Sequence, residues 1–206
     1  MILSHKKQFI YIHLYKTGGT SIRRILEKHD ASYNLIHRAK SLVTKNPVLT
    51  SGKVHKHADA KTIRREIGPE IYDNYFKFVF VRNPWDWQVS LYFYVLRDDT
   101  NHHYEIIKSF KGFDDYIRWR CTQEVRLQTE YILDEDDTNL VDFIGKYENF
   151  QQDFDTICDR IDIPRVQLPH LNAGKGRDYH DFYTPETRDL VYKTYQKDID
   201  MLGYDF

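Results

Sequence analysis

The sequence predicts an α/β protein: a central parallel sheet flanked by helices. Three observations predict it. Short runs of β-branched and aromatic residues alternate with stretches of helical apolar spacing. The first run passes straight into a glycine-containing turn and then a helix. Two later runs, at 76–81 and 140–144, are also followed by helical patterns.

The elements follow in order. Phe9, Ile10, Tyr11, Ile12, His13 and Leu14 form a short apolar run that reads as a buried strand. Ile22, Ile25 and Leu26 then fall at helical spacing. Residues 54–57 read as a short strand, and a helix is expected over 59–67, with Asp59 as its cap and Gly68-Pro69 as its end. Residues 76–81 form the strongest strand signal. Pro84 then suits the start of a helix carrying Trp85, Val89, Tyr92 and Leu96. Helical spacing returns over 113–120 and again over 124–133. Phe150, Phe154, Ile157, Cys158 and Ile161 mark one helix face. Thr184-Pro185 opens a last helix with Val191, Tyr195, Ile199 and Leu202 on one side.

Composition narrows the class. A chain of 206 residues with 41% hydrophobic and 30% charged residues is globular, and one domain over 1–206 is expected. Sixteen Tyr and 12 Phe make ring packing a large part of the core. The net charge of −1 argues against a globally basic nucleic-acid binder, so no nucleic-acid partner is expected. Cys121 and Cys158 lie far apart and outside any metal-ligand spacing, which suits a reducing cytoplasm. No apolar run reaches signal-peptide or membrane-spanning length, so neither a standard signal nor a transmembrane segment is read.

The chemistry concentrates in three places. In Lys16-Thr17-Gly18-Gly19-Thr20-Ser21, glycines after a strand let backbone approach a ligand. The next helix aims its N–H groups and positive dipole end at the same spot. Three hydroxyls and the Lys16 charge add to an anion cradle. An ordinary strand-to-helix turn is the competing reading. The nucleotide P-loop places its Lys after the glycines, whereas here Lys16 precedes them. No apolar strand ends in an Asp suited to magnesium.

The second place is Arg82 with Ser90. Arg82 closes a strand and Ser90 lies about two turns into the following helix, near the crevice where open α/β sheets bind ligands. Arg offers a fork for phosphate. A surface ion pair is the alternative for Arg82 taken alone. The third is His55 and His57, either of which can act as a proton acceptor near neutral pH. Surface histidines beside lysines are the alternative, and a zinc pair lacks a third ligand nearby.

Together these segments resemble the sulfotransferases that use 3′-phosphoadenosine 5′-phosphosulfate (PAPS). Residues 9–26 resemble their 5′-phosphosulfate loop, and 78–92 their 3′-phosphate motif. Residues 145–150 and the tail from Pro169 through Ile199 are similar as well. The nearest branch is the carbohydrate 2-O-sulfotransferase-like group with its small bacterial members.

The resemblance implies a P-loop-like sulfotransferase fold, PAPS as co-substrate and no metal. It implies that Thr17, Gly18, Gly19, Thr20 and Ser21 cradle the phosphosulfate, while Arg82 and Ser90 hold the 3′-phosphate. Lys175, in a late Gly/Lys/Arg loop, would close over that phosphate. Lys16 would stabilise the leaving group and His57 would be the general base, with His55 in reserve. The acceptor would be a hydroxyl, on a glycan or another small molecule. A P-loop nucleotide kinase and a non-catalytic nucleotide- or glycan-binding module are the alternative functions.

Overall fold

The computed structural model describes residues 1–29, 54–169 and 177–206. They fall into two compact units, Met1–Val81 with Glu130–Leu171, and Arg82–Thr129 with Asn172–Phe206. Lys175 lies outside the described residues.

The first unit carries a four-stranded sheet in the order β1 (Ile2–Ser4), β2 (Phe9–Ile12), β3 (Phe76–Val81), β4 (Phe143–Lys146). The pairs β2–β3 and β3–β4 are parallel, with Ile12 opposite Val79 and Val81 opposite Lys146. The central strands are thus parallel as expected, and β1, which runs antiparallel to β2, makes the sheet a mixed one. Only four residues separate β1 from β2, far too few for a parallel crossover. With three residues, β1 is also too short to show alternation. Every residue of β2 and nearly all of β3 is buried, as expected of strands covered on both faces.

The core on one face joins Phe9, Tyr11, Phe78 and Phe80 to the helices α1 (Gly19–Leu26) and α7 (Phe150–Arg160). Its rings pack at centroid distances of 5.2 Å for Tyr11 and Phe78 and 5.3 Å for Phe80 and Phe150. Between these elements lie α2 (Ala60–Ile67) and α3 (Pro69–Asn74). Asp59 caps α2 as expected, its Oδ1 accepting from Thr62 N at 2.7 Å. Pro69 does more than end α2; as the first residue of α3 it starts another helix.

Residues 54–57 form no strand. Ala58 N donates to His55 O at 3.0 Å, closing a turn ahead of α2. The third parallel strand begins at 143 rather than 140, because Asp142 instead gives its carboxylate to Lys77, accepting from N at 2.8 Å and Nζ at 2.9 Å.

The second unit holds α4 (Pro84–Val95), α5 (Tyr104–Lys108), α6 (Phe113–Gln123), α8 (Pro185–Thr194) and α9 (Gln196–Leu202). Thr184 and Thr187 form a reciprocal capping box at the start of α8. The single last helix of the sequence reading is two helices that break at buried Tyr195. Thr194 Oγ1 donates back to Leu190 O at 2.8 Å there, a bond that bends helices.

Nor does a helix fill 124–133, which holds one short 3-10 turn at Thr129–Tyr131. Its N–H groups find another partner: the fully buried Asp198 accepts from Gln128 N at 2.7 Å, Thr129 N at 2.9 Å and Thr129 Oγ1 at 2.7 Å. Among the described residues no helix is long and apolar enough to cross a membrane.

Replacing Asp198 by Ala leaves two buried backbone donors without that acceptor. Urea unfolding should show a loss of about 3 kcal/mol. A loss below about 1 kcal/mol would show that water satisfies those donors instead.

Candidate active site

The residues between β2 and α1 form a tight turn with two left-handed backbones. Lys16 has φ 65° and Gly18 has φ 82°. A lysine in that region costs on the order of 1 kcal/mol, so the surroundings must hold it there. Thr17 supplies part of the hold, its buried Oγ1 donating to Leu14 O at 2.9 Å. Ser21 Oγ donates to Pro169 O at 2.5 Å. Two of the three hydroxyls read as ligand donors are thus committed to carbonyls, while Thr20 stands exposed.

The backbone of the turn has features that suit an anion. Gly18 caps α1 with no side-chain bond, and the first turn of α1 carries no acidic residue. The first N–H groups of α1 have no carbonyl one turn earlier within the helix, so they and the dipole favour an anion there.

Both glycines are sterically required. A Cβ on Gly18 would lie 2.4 Å from Cζ of Phe150, and one on Gly19 would lie 1.9 Å from Nε2 of His13. Phe150 rests edge-on against Phe80, whose ring in turn needs the missing side chain of Gly145, 2.7 Å from where a Cβ would stand. The segment 145–150 therefore braces the turn from the sheet side. His13 and Phe150 were absent from the residues singled out as functional. For His13 the available signal was its place two residues beyond Tyr11, on the same buried face.

His57 lies in the turn ahead of α2, half-buried. Its Nδ1 is 2.9 Å from the backbone oxygen of His13. A carbonyl only accepts, so Nδ1 carries the proton and Nε2 is left as the basic nitrogen. The ring sits 4.6 Å from that of His13 and 6.0 Å, edge-on, from Tyr15, the neighbour of Lys16. Burial lowers the pKa of His57; the bond to His13 partly opposes this and the Lys56 charge adds to the lowering. The net effect favours the neutral imidazole. His55 is exposed, and its Nδ1 accepts from His57 N at 3.2 Å.

In the second unit, Arg82 stands just ahead of α4 and Ser90 lies half-buried two turns along it. Arg82 does form an ion pair, Nε to Asp86 Oδ2 at 2.6 Å, yet the pair is not a surface one: the Arg82 side chain is only 11% exposed. Its backbone is clamped as well. Arg82 N donates to Gln128 Oε1 at 2.9 Å and Gln128 Nε2 donates to Arg82 O at 2.7 Å. Gln128 is in turn held by Asp198. No spacing in the sequence pointed to either residue. Arg177 lies 3.9 Å over the ring of Phe93.

A parallel strand that runs through a glycine turn into a helix without a side-chain cap is an α/β arrangement whose first helical N–H groups favour an anion. The profile of the sulfotransferase family matches residues 1–205, and the chain belongs to that family. It is 32% identical over 120 residues to an uncharacterized protein of Archaeoglobus fulgidus, a match covering 57% of this chain and 92% of that one. The fold is similar to the crystal structure of mouse sulfotransferase SULT7A1 complexed with PAP. That similarity has a TM-score of 0.59 at 12% identity, covering 96% of this chain and 86% of the other.

Burial, chiefly, pushes the pKa of His13 down from 6.5 to about 2. The unfolded chain therefore binds the extra proton first. The contribution of neutral His13 to stability is complete above pH 6.5 and is lost as pH falls from there toward about 2. Urea titrations between about pH 4 and pH 6 should show stability rising with pH, and His13→Leu should flatten that slope by about 1 kcal/mol per pH unit. An unchanged slope would place His13 in a more hydrated setting than the structure shows.

Proposed function

We propose that this sulfotransferase moves a sulfuryl group from PAPS to a hydroxyl of a carbohydrate, by in-line transfer with His57 as general base. The observation that carries the reading is the bond from His57 Nδ1 to the His13 carbonyl, which presents Nε2 as the acceptor beside the glycine turn. The fold shared with a PAP-bound sulfotransferase supports the choice of donor, since PAP is PAPS without its sulfuryl group.

Each residue then has a task. Backbone N–H groups at Gly19 and Thr20 face the phosphosulfate, helped by Thr17, Gly18 and Ser21 as the frame of the turn. The acceptor oxygen attacks sulfur while His57 Nε2 takes its proton. The bond between sulfur and the bridging oxygen breaks, and the Lys16 ammonium stabilises charge on that oxygen. A sulfuryl group carries less charge than a phosphoryl group, so a lysine with backbone donors suffices. Arg82 and Ser90 hold the 3′-phosphate, together with Lys175. Two free, buried cysteines support a reducing, cytoplasmic setting.

Calorimetry with PAP should show binding that ADP with magnesium does not reproduce. The reverse preference would replace the sulfuryl donor by a nucleotide triphosphate. With PAPS and a panel of sugars, Lys16→Ala and His57→Ala should each lower turnover by on the order of 10²-fold or more. Arg82→Ala should chiefly weaken PAP, by about tenfold or more. Donor binding without transfer to any acceptor would instead make the chain a binding module.

A further inference from the structure

His13 is 5% exposed, and its Nδ1 is buried with no hydrogen-bond partner among the described residues. An apolar ring would fill the same space without that cost, so a polar ring here calls for an explanation. Its surroundings supply one. The Nε2 edge lies where the Cβ of Gly19 would be, 1.9 Å from that position. In a helix the Cα–Cβ bond tilts toward the N-terminus, so this edge stands at the end of α1 where its first N–H groups point. The ring is 4.6 Å from His57, and the residue's own carbonyl fixes the His57 proton on Nδ1. One face is backed by Tyr11, stacked at 5.7 Å, so the ring has little room to retreat.

We propose that His13 is a positioning residue that ties the glycine turn to His57, so that donor cradle and base hold one geometry. The idea rests on the reading of His57 as base, yet the contact it describes is measurable without turnover. Any displacement of the His13 ring, whether by truncation or by a methyl at residue 19, moves His57. The groups facing His57 are His13, Tyr15, His55, Lys56 and the Met1 ammonium, which donates to Lys56 O at 2.6 Å. His13 also lies against α1 at Gly19.

The test is the NMR pH titration of the His57 ring in the full chain without donor or acceptor, its signals assigned with His57→Gln. Burial by its neighbours depresses His57, so His13→Ala should raise its titration midpoint toward the ordinary 6.5. Gly19→Ala should raise it too, by pushing the His13 ring aside, and should add nothing further in a His13→Ala background. His13→Val, smaller than the ring, serves if the alanine variant does not fold, and should give a smaller upward shift.

In PAPS assays the acid limb of the pH profile should move by the same amount, with kcat falling on the order of 10²-fold and the KM for PAPS changing less. An unmoved His57 midpoint in both His13 variants overturns the proposal even if His57 proves to be the base. Shifted midpoints combined with full activity of His57→Gln would keep the contact and remove the base role.

Discussion

Phe150 occupies the space a side chain on residue 18 would take, and His13 occupies that of residue 19. The geometry of the turn depends on these two contacts. A methyl group at either position would overlap a ring already fixed by its own neighbours, Phe80 for Phe150 and Tyr11 for His13. The turn is therefore pinned from two sides. Pinning of this kind explains how Lys16 can be kept in a left-handed backbone that lysine does not favour. It also leaves the first N–H groups of α1 without a side-chain cap.

Electrostatics build on that steric frame. Burial favours the neutral form of His57 and a carbonyl holds its proton on Nδ1, so a single basic nitrogen is offered. The second unit fixes its charged residue differently. Arg82 is held at its backbone by both ends of the Gln128 amide and at Nε by Asp86, while Asp198 anchors Gln128 from within the core. In the first unit a main-chain oxygen sets the position of His57; in the second a side-chain amide grips the main chain of Arg82. Such restraint suits catalysis by pre-set dipoles, where reorganisation at the moment of reaction is costly.

How much of this was legible depends on how local the cause is. Strands β2 and β3, the turn, α1, α2 with its Asp59 cap and the face of α7 were all readable, because each is encoded within a few residues. The errors share a cause of the opposite kind. Strand β1 shows itself only by pairing with β2, and 124–133 fails to be helical because its N–H groups go to Asp198. The break at Tyr195 and the late start of β4 at Phe143 likewise come from partners the periodicity does not contain.

By itself the sequence determined the order of strand, glycine turn and helix, the family motifs around Lys16 and Arg82, and the pair of histidines that includes the base candidate. These rest on backbone preferences and residue chemistry, which act over a turn or two of chain. Only the tertiary structure decided that His57 rather than His55 lies against the turn, that Thr17 and Ser21 turn their hydroxyls to carbonyls, and that His13 packs against Gly19. Each of those outcomes depends on which atoms meet. His57 meets the oxygen of a residue 44 positions away, a contact that exists only once the sheet and its helices have packed.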